Sequence, residues 1–279
     1  MKNLLIFTVH ILLGSLQIAC NQPKPDNLSK KEEDQFVINS KILGETRTCL
    51  ISLPETYFEV SEKDEKYPVI ILLDGNVFFK TTAGAVQFMS SDSNRNHLMP
   101  KSIIVAVENV DRERDFTVTK LKTKRPNTMG GGKKFLGFIQ KELLPYLDTN
   151  YRTKKSRTLI GHSLGGLLTL NAYMDENNIF DAYLAIDPSI WWDEETIKNK
   201  VDSVPSTSLN KKLFIATANQ GEANYERNKK RHDTLYSLLR ERMEGGNTVS
   251  IQYYETENHR SVPLKAIYDG LKYLNGDTQ

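Results

Sequence analysis

The sequence has little cysteine, little net charge and no hydrophobic run longer than a short one near its start. Cys20 and Cys49 are the two cysteines among 279 residues, too few for a disulfide framework or a multi-cysteine zinc site. The 37 lysines and arginines face 35 aspartates and glutamates, which leaves a net charge of +2. Because this balance provides no strongly basic surface to hold a polyanion, it argues against nucleic-acid binding. The composition, 39% hydrophobic and 26% charged, is that of an ordinary globular protein.

The apolar run near the start has the form of an export signal. Lys2 precedes the mostly apolar residues 4–16, a run that is short for a transmembrane helix and typical of a secretory signal. It ends at Ala19 and Cys20, and a polar, proline-containing stretch follows. This arrangement resembles a bacterial lipoprotein signal, in which cleavage before the cysteine leaves a lipid-modified Cys20 as the first residue.

These features divide the chain into three parts. We expect a signal peptide at 1–19, a polar tether at 20–35 and one folded domain at 36–279. A lipid on Cys20 would be the only attachment to a membrane and would place the protein in the periplasm or on the outer membrane. An unlipidated secreted protein and a retained anchor are the alternatives. With Cys20 modified, Cys49 has no partner in the chain, and we expect it to be buried in a strand.

Strand patterns alternate with helix patterns in the rest of the sequence. Two alternating segments, 36–39 and 48–53, flank Gly44 and predict an antiparallel pair. Short apolar runs predict six buried strands at residues 69–73, 103–107, 158–160, 182–186, 213–216 and 249–254. Amphipathic helix patterns comprise Phe135, Phe138, Ile139 and Leu143, then Leu235, Leu238, Leu239 and Met243, then Leu264, Ile267, Leu271 and Leu274. The order predicts an α/β fold in which a mostly parallel eight-stranded sheet has helices on both faces.

The strongest chemical signal is a G-x-S-x-G motif, Gly161 to Gly165, between a predicted strand and a predicted helix. In that context the motif predicts a nucleophile elbow, because the glycines let the strand and the helix approach each other around a strained serine. The start of the helix would present backbone N–H groups beside the oxygen of Ser163, where an oxyanion develops. We therefore predict Ser163 as a nucleophile.

A nucleophilic serine needs a base, and the chain contains five histidines. Three are poorly placed, namely His10, His97 and His162. The first lies in the signal, the second precedes the serine in a polar loop, and the third adjoins the serine and should be turned away from it. His232 falls in the polar start of a predicted helix, where we expect it to be solvated. His259 follows the last predicted strand, the position of the base in α/β-hydrolases, so we predict it as the base.

The acid that would orient the histidine is harder to assign. In this fold it usually follows the penultimate strand, and the next carboxylate after residues 213–216 is Glu222. We therefore predict Glu222, with Asp187 as its rival after the preceding strand. Glu226 and Glu257 are weaker candidates, and a Ser–His pair without an acid is a further alternative.

Several motifs outside the serine turn carry a resemblance to a known family. They are Leu72-Leu73-Asp74-Gly75-Asn76, Arg112 with Arg114-Asp115-Phe116-Thr117, Asp187-Pro188-Ser189-Ile190-Trp191-Trp192 and Asn258-His259. With the serine motif, they make residues 37–274 resemble the putative esterase family of α/β-hydrolases. That family includes enterochelin-type siderophore esterases, esterase D-like enzymes, feruloyl esterases and mycolyltransferases, and the Pro-Ser-x-Trp-Trp stretch is most similar to the siderophore-esterase branch.

The resemblance also implies roles for residues around the serine. By analogy with the family, the oxyanion hole consists of backbone N–H groups from Leu164 and from the loop near Gly75 and Asn76. Four side chains are candidates for the substrate pocket, namely Trp191, Trp192, Arg112 and Arg114. The tryptophans could instead fill the core, and the arginines are either solvated loop charges or a clamp for an anionic acyl group.

Together these features predict a serine esterase that hydrolyses carboxylic esters through an acyl-enzyme. Siderophore-type esters and carbohydrate or aryl acyl esters are the candidate small-molecule substrates. No metal or organic cofactor is implied. Acyl transfer to an alcohol acceptor by the same residues is one alternative, and a non-catalytic binding lipoprotein on the same fold is another.

The lipid anchor gives the first testable prediction. In a bacterial host, radiolabelled palmitate should be incorporated into the wild-type protein, which should partition into detergent because several buried acyl chains hold a protein on a bilayer stably. Cys20→Ser with a replacement signal should abolish the label and release the protein, whereas Cys49→Ala should keep both. An unmodified N-terminus beyond Cys20 in the mass spectrum would contradict the prediction.

Overall fold

Eight strands form a single sheet in the part of the chain that the computed structural model describes, residues 34–124, 126–176, 179–243 and 248–276. The strands are β1 (Asp34–Ser40), β2 (Glu45–Ser52), β3 (Tyr67–Leu72), β4 (Ile103–Val107), β5 (Thr153–His162), β6 (Ala182–Ile186), β7 (Lys212–Ala218) and β8 (Val249–Tyr254). Their order across the sheet is β1-β2-β4-β3-β5-β6-β7-β8. The pairs β1–β2 and β2–β4 are antiparallel, and the others are parallel. The predicted α/β fold is therefore confirmed.

Helices cover both faces of the sheet. They are α1 (Gly75–Ser90), α2 (Arg112–Phe116), α3 (Gly132–Phe138), α4 (Leu144–Asn150), α5 (Leu164–Tyr173), α6 (Thr196–Ser203), α7 (Lys229–Arg242) and α8 (Val262–Asn275). A π-helical segment, Ile139–Leu143, joins α3 to α4. Because successive side chains of a strand point to opposite faces, Ile71 packs with α3, α5 and α7, whereas its neighbours Ile70 and Leu72 pack with α1 and α8.

Most of the predicted core residues are buried. The stripe that begins at Phe135 is buried along its length, and so are Leu235 and Leu239 of α7. Leu264 is an exception, because it is 65% exposed at the start of α8. Cys49 is fully buried in β2, as predicted, and burial raises the pKa of its thiol to about 12.

The described residues belong to one compact unit, Glu33–Gln279. Its first strand begins at Asp34, two residues before the predicted start of the folded domain at residue 36. The predicted signal peptide at 1–19, Cys20 and the rest of the tether lie outside the described residues. Within the described ranges, none of the helices has the length and apolar character needed to cross a membrane.

The parallel part of the sheet positions the functional side chains. Strands β3, β5, β6, β7 and β8 run in the same direction, so their carboxyl ends meet at one edge. The loops that follow these strands carry Asp74, Ser163, Asp187, Gln220 and His259. Ligands of open α/β sheets bind at this edge.

Candidate active site

Ser163 occupies the tight turn that the G-x-S-x-G motif predicts. It lies between β5 and α5 with φ 60° and ψ −116°, a strained conformation for a residue with a side chain. A Cβ on Gly161 would collide with the backbone of Gly165, so the turn requires glycine there. The N–H of Ser163 donates to the carbonyl of Ile186 at 2.9 Å, and its own carbonyl accepts from the N–H of Ser189 at 3.0 Å. These bonds tie the serine turn to the loop after β6.

His259 lies between the serine and a buried carboxylate. Its Nε2 is 3.2 Å from Ser163 Oγ, and its Nδ1 is 2.5 Å from Oδ2 of Asp187. Ser189, which sequence reasoning did not single out as a site residue, places its hydroxyl 3.3 Å from Ser163 Oγ. A serine, an imidazole and a carboxylate in this order form the arrangement used for nucleophilic acyl transfer.

The prediction that Glu222 is the acid is wrong, because the carboxylate beside His259 belongs to Asp187. Glu222 is exposed at the start of a short 3-10 turn, Glu222–Asn224, whereas Asp187 is 1% exposed. Asp187 follows β6 directly with φ 40°, and this left-handed backbone belongs to the loop that brings its carboxylate to His259. Of the residues after β7, it is Gln220 that reaches the site, and its Nε2 donates to Asp187 Oδ2 at 2.7 Å.

Hydrogen bonds keep the buried carboxylate of Asp187 ionised. Its Oδ1 accepts from the backbone N–H of Ala218 and from Nδ2 of Asn228, each at 3.0 Å. Burial by itself opposes ionisation. The hydrogen bond with His259 and those from Ala218 and Asn228 outweigh it and hold the pKa of Asp187 below its usual range. The carboxylate is therefore charged at neutral pH.

His162, next to the serine, points away from it as predicted. Its Nε2–H donates to the backbone carbonyl of His259 at 2.8 Å, and the two rings are 4.5 Å apart. Burial, followed by repulsion from His259, lowers the pKa of His162 to about 4. His162 is thus neutral at neutral pH and supports the loop of His259.

The three predicted oxyanion donors lie at the starts of two helices. Gly75 and Asn76 open α1, and Leu164 opens α5, so their N–H groups have no acceptor within their own helix. A Cβ on Gly165 would lie 3.3 Å from Oδ2 of Asp74, which shows how closely the two helix starts approach. The start of α1 therefore lies close to the start of α5, and the role of these N–H groups as oxyanion donors stays a prediction.

Arg112 has a different position from the one expected. Its Nε and Nη2 bind the two carboxylate oxygens of Asp74 at 2.6 and 3.0 Å, and Nη2 also donates to the carbonyl of His162 at 3.1 Å. Asn109 donates to the same carboxylate at 2.6 Å. Arg112 is therefore not simply a solvated loop charge, because its donors join the residue before Gly75 to the residue before Ser163.

Arg114 also has protein partners. It makes two hydrogen bonds to the carboxylate of Glu45, at 2.9 and 2.6 Å, and a third to Asp115 at 2.8 Å. The fully buried Arg47 binds both of these carboxylates. This cluster fastens α2, and with it Arg112, to strand β2.

The two predicted pocket tryptophans have different surroundings. Trp192 is buried, and its indole N–H donates to the carbonyl of Thr119 at 3.2 Å. It also lines a cavity of about 580 Å³ that Leu167, one turn after Ser163 on α5, lines as well. Trp191 is half-buried with the guanidinium of Arg227 stacked 4.2 Å from its ring centre. Core packing, one of the two uses foreseen for the pair, therefore applies to Trp192, and the role of either tryptophan in a substrate pocket stays a prediction.

The described residues contain no group of three or more histidine, cysteine, aspartate or glutamate side chains that could hold a metal ion.

Comparison with known proteins identifies the family. The model of the family described as Putative esterase matches residues 40–235. The protein belongs to this esterase family. The ferri-bacillibactin esterase BesA of Bacillus subtilis is 31% identical over 215 residues, which cover 70% of this chain and 74% of the relative. A siderophore triacetylfusarinine C esterase of Aspergillus fumigatus is 30% identical over 67% of this chain and 65% of its own length.

Solved structures show the same relationship. An IroE-like serine hydrolase from Shewanella oneidensis superposes with a TM-score of 0.76 at 32% identity, over 87% of this chain and 79% of the other. The BES protein from Bacillus cereus superposes with a TM-score of 0.73 at 27% identity, over 88% and 96% of the two chains. The chain is thus a carboxylic ester hydrolase with the α/β-hydrolase fold, as the resemblance implied.

The correction of the acid leads to a second prediction. Asp187→Asn should lower kcat roughly 10²–10⁴-fold, because the amide no longer stabilises the imidazolium and can hold the wrong tautomer. Glu222→Gln, the same chemical change at the exposed carboxylate, should stay within about twofold of wild type. Steady-state hydrolysis of an aryl acetate measures both. A silent Asp187→Asn beside an impaired Glu222→Gln would restore the original assignment.

The contacts of Arg112 provide a third prediction. Arg112→Lys should lower kcat about tenfold or more, because an ammonium cannot bind a carboxylate through two parallel N–H groups and a carbonyl as well. The loss should be equal for neutral and anionic acyl groups. Arg227→Lys, which alters the arginine stacked on Trp191, is the control and should leave kcat within about twofold. A loss confined to KM for anionic esters would indicate a substrate clamp instead.

Proposed function

We propose that this esterase hydrolyses the ester bonds of siderophores through an acyl-enzyme on Ser163, with His259 as general base and Asp187 as its acid partner. The observation that carries the proposal is the continuous set of contacts from Asp187 Oδ2 through the imidazole to Ser163 Oγ, at 2.5 and 3.2 Å. These contacts are made at a strained turn beside two helix starts.

The tautomer of His259 follows from its partners. An ionised carboxylate only accepts hydrogen bonds, so Nδ1 carries the proton that lies toward Asp187. Nε2 is then unprotonated and can take the proton of the Ser163 hydroxyl as the oxygen attacks the ester carbonyl. The imidazolium that forms returns this proton to the leaving alcohol. Water, deprotonated by the same nitrogen, then releases the acid from the serine.

Negative charge develops on the carbonyl oxygen during each attack. We propose that the N–H groups of Leu164, Gly75 and Asn76 stabilise it, because donors at helix starts need no rearrangement when the charge appears. Arg112 would keep the two sets of donors in register through Asp74 and the carbonyl of His162. One lost donor in such a hole typically costs about 10²–10³ in kcat.

The substrate class is supported by the relatives. One that matches 70% of this chain is named a ferri-bacillibactin esterase, and one that matches 67% is named a siderophore triacetylfusarinine C esterase. Both names specify an enzyme that cleaves esters, and the second names a siderophore as its substrate. We therefore propose a siderophore ester as substrate rather than a simple alkyl ester.

The place of action follows from the N-terminal sequence. We propose that the signal at 1–19 exports the protein and that Cys20 carries a lipid, which leaves the catalytic unit in the periplasm or on the outer membrane. Such a location fits an enzyme whose substrate enters the cell from outside.

The fourth prediction tests the activity and the nucleophile. Purified protein should hydrolyse a catecholate trilactone or an ester-linked hydroxamate siderophore with kcat/KM about 10²-fold or more above that for phenyl acetate, because binding of the remote groups contributes to transition-state stabilisation. Ser163→Ala should lower each rate roughly 10⁴-fold or more. Mass spectrometry of the products and initial rates provide the measurements.

Ser189→Ala is the matched control, because this second hydroxyl lies only 3.3 Å from Ser163 Oγ. A fluorophosphonate probe should label the wild-type protein and Ser189→Ala, but not Ser163→Ala. A folded Ser163→Ala protein that keeps its activity would contradict the mechanism. Equal rates for all esters would leave a serine esterase but remove the siderophore from the proposal.

A further inference from the structure

A second histidine, His232, is fully buried behind the acid of the site. It lies in the first turns of α7, where the sequence predicted a solvated side chain, but its exposed fraction is 0%. The prediction is wrong because α7 turns this side toward Thr217 in β7 and toward Pro188 in the loop after β6. A buried imidazole is costly unless both nitrogens have partners. The partners of His232 therefore indicate what it does.

Both ring nitrogens of His232 have one specific partner. Nε2 is 2.8 Å from the backbone carbonyl of Pro188, and Nδ1 is 2.8 Å from the hydroxyl of Thr217. Because a carbonyl only accepts, Nε2 must carry the proton, and in the neutral ring Nδ1 then accepts from the hydroxyl. Burial lowers the pKa of His232 and favours this neutral form.

These two partners flank the carboxylate of Asp187 in the structure. Pro188 is the next residue along the chain, and Thr217 precedes Ala218, whose N–H donates to Asp187 Oδ1. Asn228, one turn before His232, donates to the same oxygen. The start of α7 thus holds the acid from one side, through a direct bond from Asn228 and an indirect one from His232.

The backbone around the acid requires such support. Asp187 has φ 40°, a left-handed conformation that residues with side chains adopt only when their surroundings hold them. His232 donates to the carbonyl of Pro188, the residue that follows Asp187. This hydrogen bond restrains the turn that aims the carboxylate at His259.

We propose that His232 is a positioning residue for the esterase reaction, which holds the Asp187–Pro188 turn in the conformation that presents the carboxylate to His259. The inference rests on the proposed function, because it assumes that Asp187 orients the base. His232 itself lies behind the acid, with Nδ1 3.9 Å from Asp187 Oδ1, and contributes through the loop.

Two amide variants separate the roles of the two nitrogens. The side-chain nitrogen of glutamine takes the place of Nε2 and can donate to Pro188, whereas asparagine reaches only the place of Nδ1. His232→Gln should keep kcat within about threefold, and His232→Asn should lower it about 10–100-fold, the usual loss when a partner that orients a site ligand or acid is removed. The value of KM should change by less than twofold in both, because no substrate contact is altered.

The pH dependence of kcat/KM adds a measurement that a general loss of stability would not change. A displaced carboxylate stabilises the imidazolium of His259 less, so the acidic limb should move to lower pH in His232→Asn and stay in place in His232→Gln. The charged or titratable groups that act on His232 are Asp187, Asp233 on its own helix and His259. The same two substitutions leave all three of these groups in place.

Leu239→Ala is the control for stability. Leu239 is buried on the same helix and belongs to the core on that face of the sheet, so its truncation loosens α7 through lost packing. This variant should unfold at a lower temperature and keep kcat and the acidic limb. The inference is overturned if His232→Asn behaves as Leu239→Ala does. The same assays test the proposed function separately. Wild-type activity that is lost in Ser163→Ala would support the proposed function even if the inference about His232 fails.

A spectroscopic measurement covers the case in which His232→Asn does not fold. In the wild-type protein, ¹⁵N chemical shifts of the His232 ring should show a proton on Nε2 and none on Nδ1 at neutral pH. A neutral ring protonated on Nδ1 instead would mean that Nε2 does not donate to Pro188, and the inference would be overturned.

Discussion

The active site depends on two tight turns that lie side by side at the carboxyl edge of the sheet. Ser163 after β5 and Asp187 after β6 both have positive φ, at 60° and 40°. Each such residue costs about 1–3 kcal/mol, so neither turn would persist without tertiary contacts. The serine turn donates to the carbonyl of Ile186 and accepts from the N–H of Ser189. Because β5 and β6 are neighbouring parallel strands, these bonds fix the position of Ser163 relative to Asp187.

The two buried carboxylates of the site are likewise held by hydrogen bonds from neighbouring loops. Asp187 is buried, and it is ionised because backbone and amide donors surround it. Its carboxylate contacts the imidazole of His259. Asp74 is buried on the other side of the serine and is bound by Arg112. A buried carboxylate left without its donors would be costly. Each pair therefore binds two loops firmly, and rigid loops keep the reacting groups close to their productive geometry.

Membership in the esterase family accounts for the fold and the class of reaction, and this chain's own contacts explain how its site is held together. Two arginines that could have been substrate ligands have protein partners instead. Arg112 joins the starts of α1 and α5, and Arg114 fastens α2 to β2. Sites grafted on one fold differ mainly in their loops.

The sequence by itself determined the features that local patterns encode. Alternating and continuous apolar runs predicted all eight strands and their place in an α/β fold, because burial of a strand or helix face is visible within a few residues. The glycines around Ser163 predicted the tight turn, since only glycine fits where Gly161 meets Gly165. The position of His259 after the last strand predicted that it would lie at the same edge of the sheet.

Tertiary structure decided the rest. Asp187 is 72 residues from His259 in the chain, and several carboxylates, Glu222 among them, follow strands at the same edge, so their order in the sequence did not show which one would face the imidazole. The sequences around His232 and Arg112 are polar, as is typical of surface residues. Both side chains are nevertheless bound within the protein, because folding places a backbone carbonyl beside His232 and a carboxylate beside Arg112. Hydrogen bonds between distant segments depend on positions accurate to a few tenths of an ångström, and such positions exist only once the helices and strands have packed.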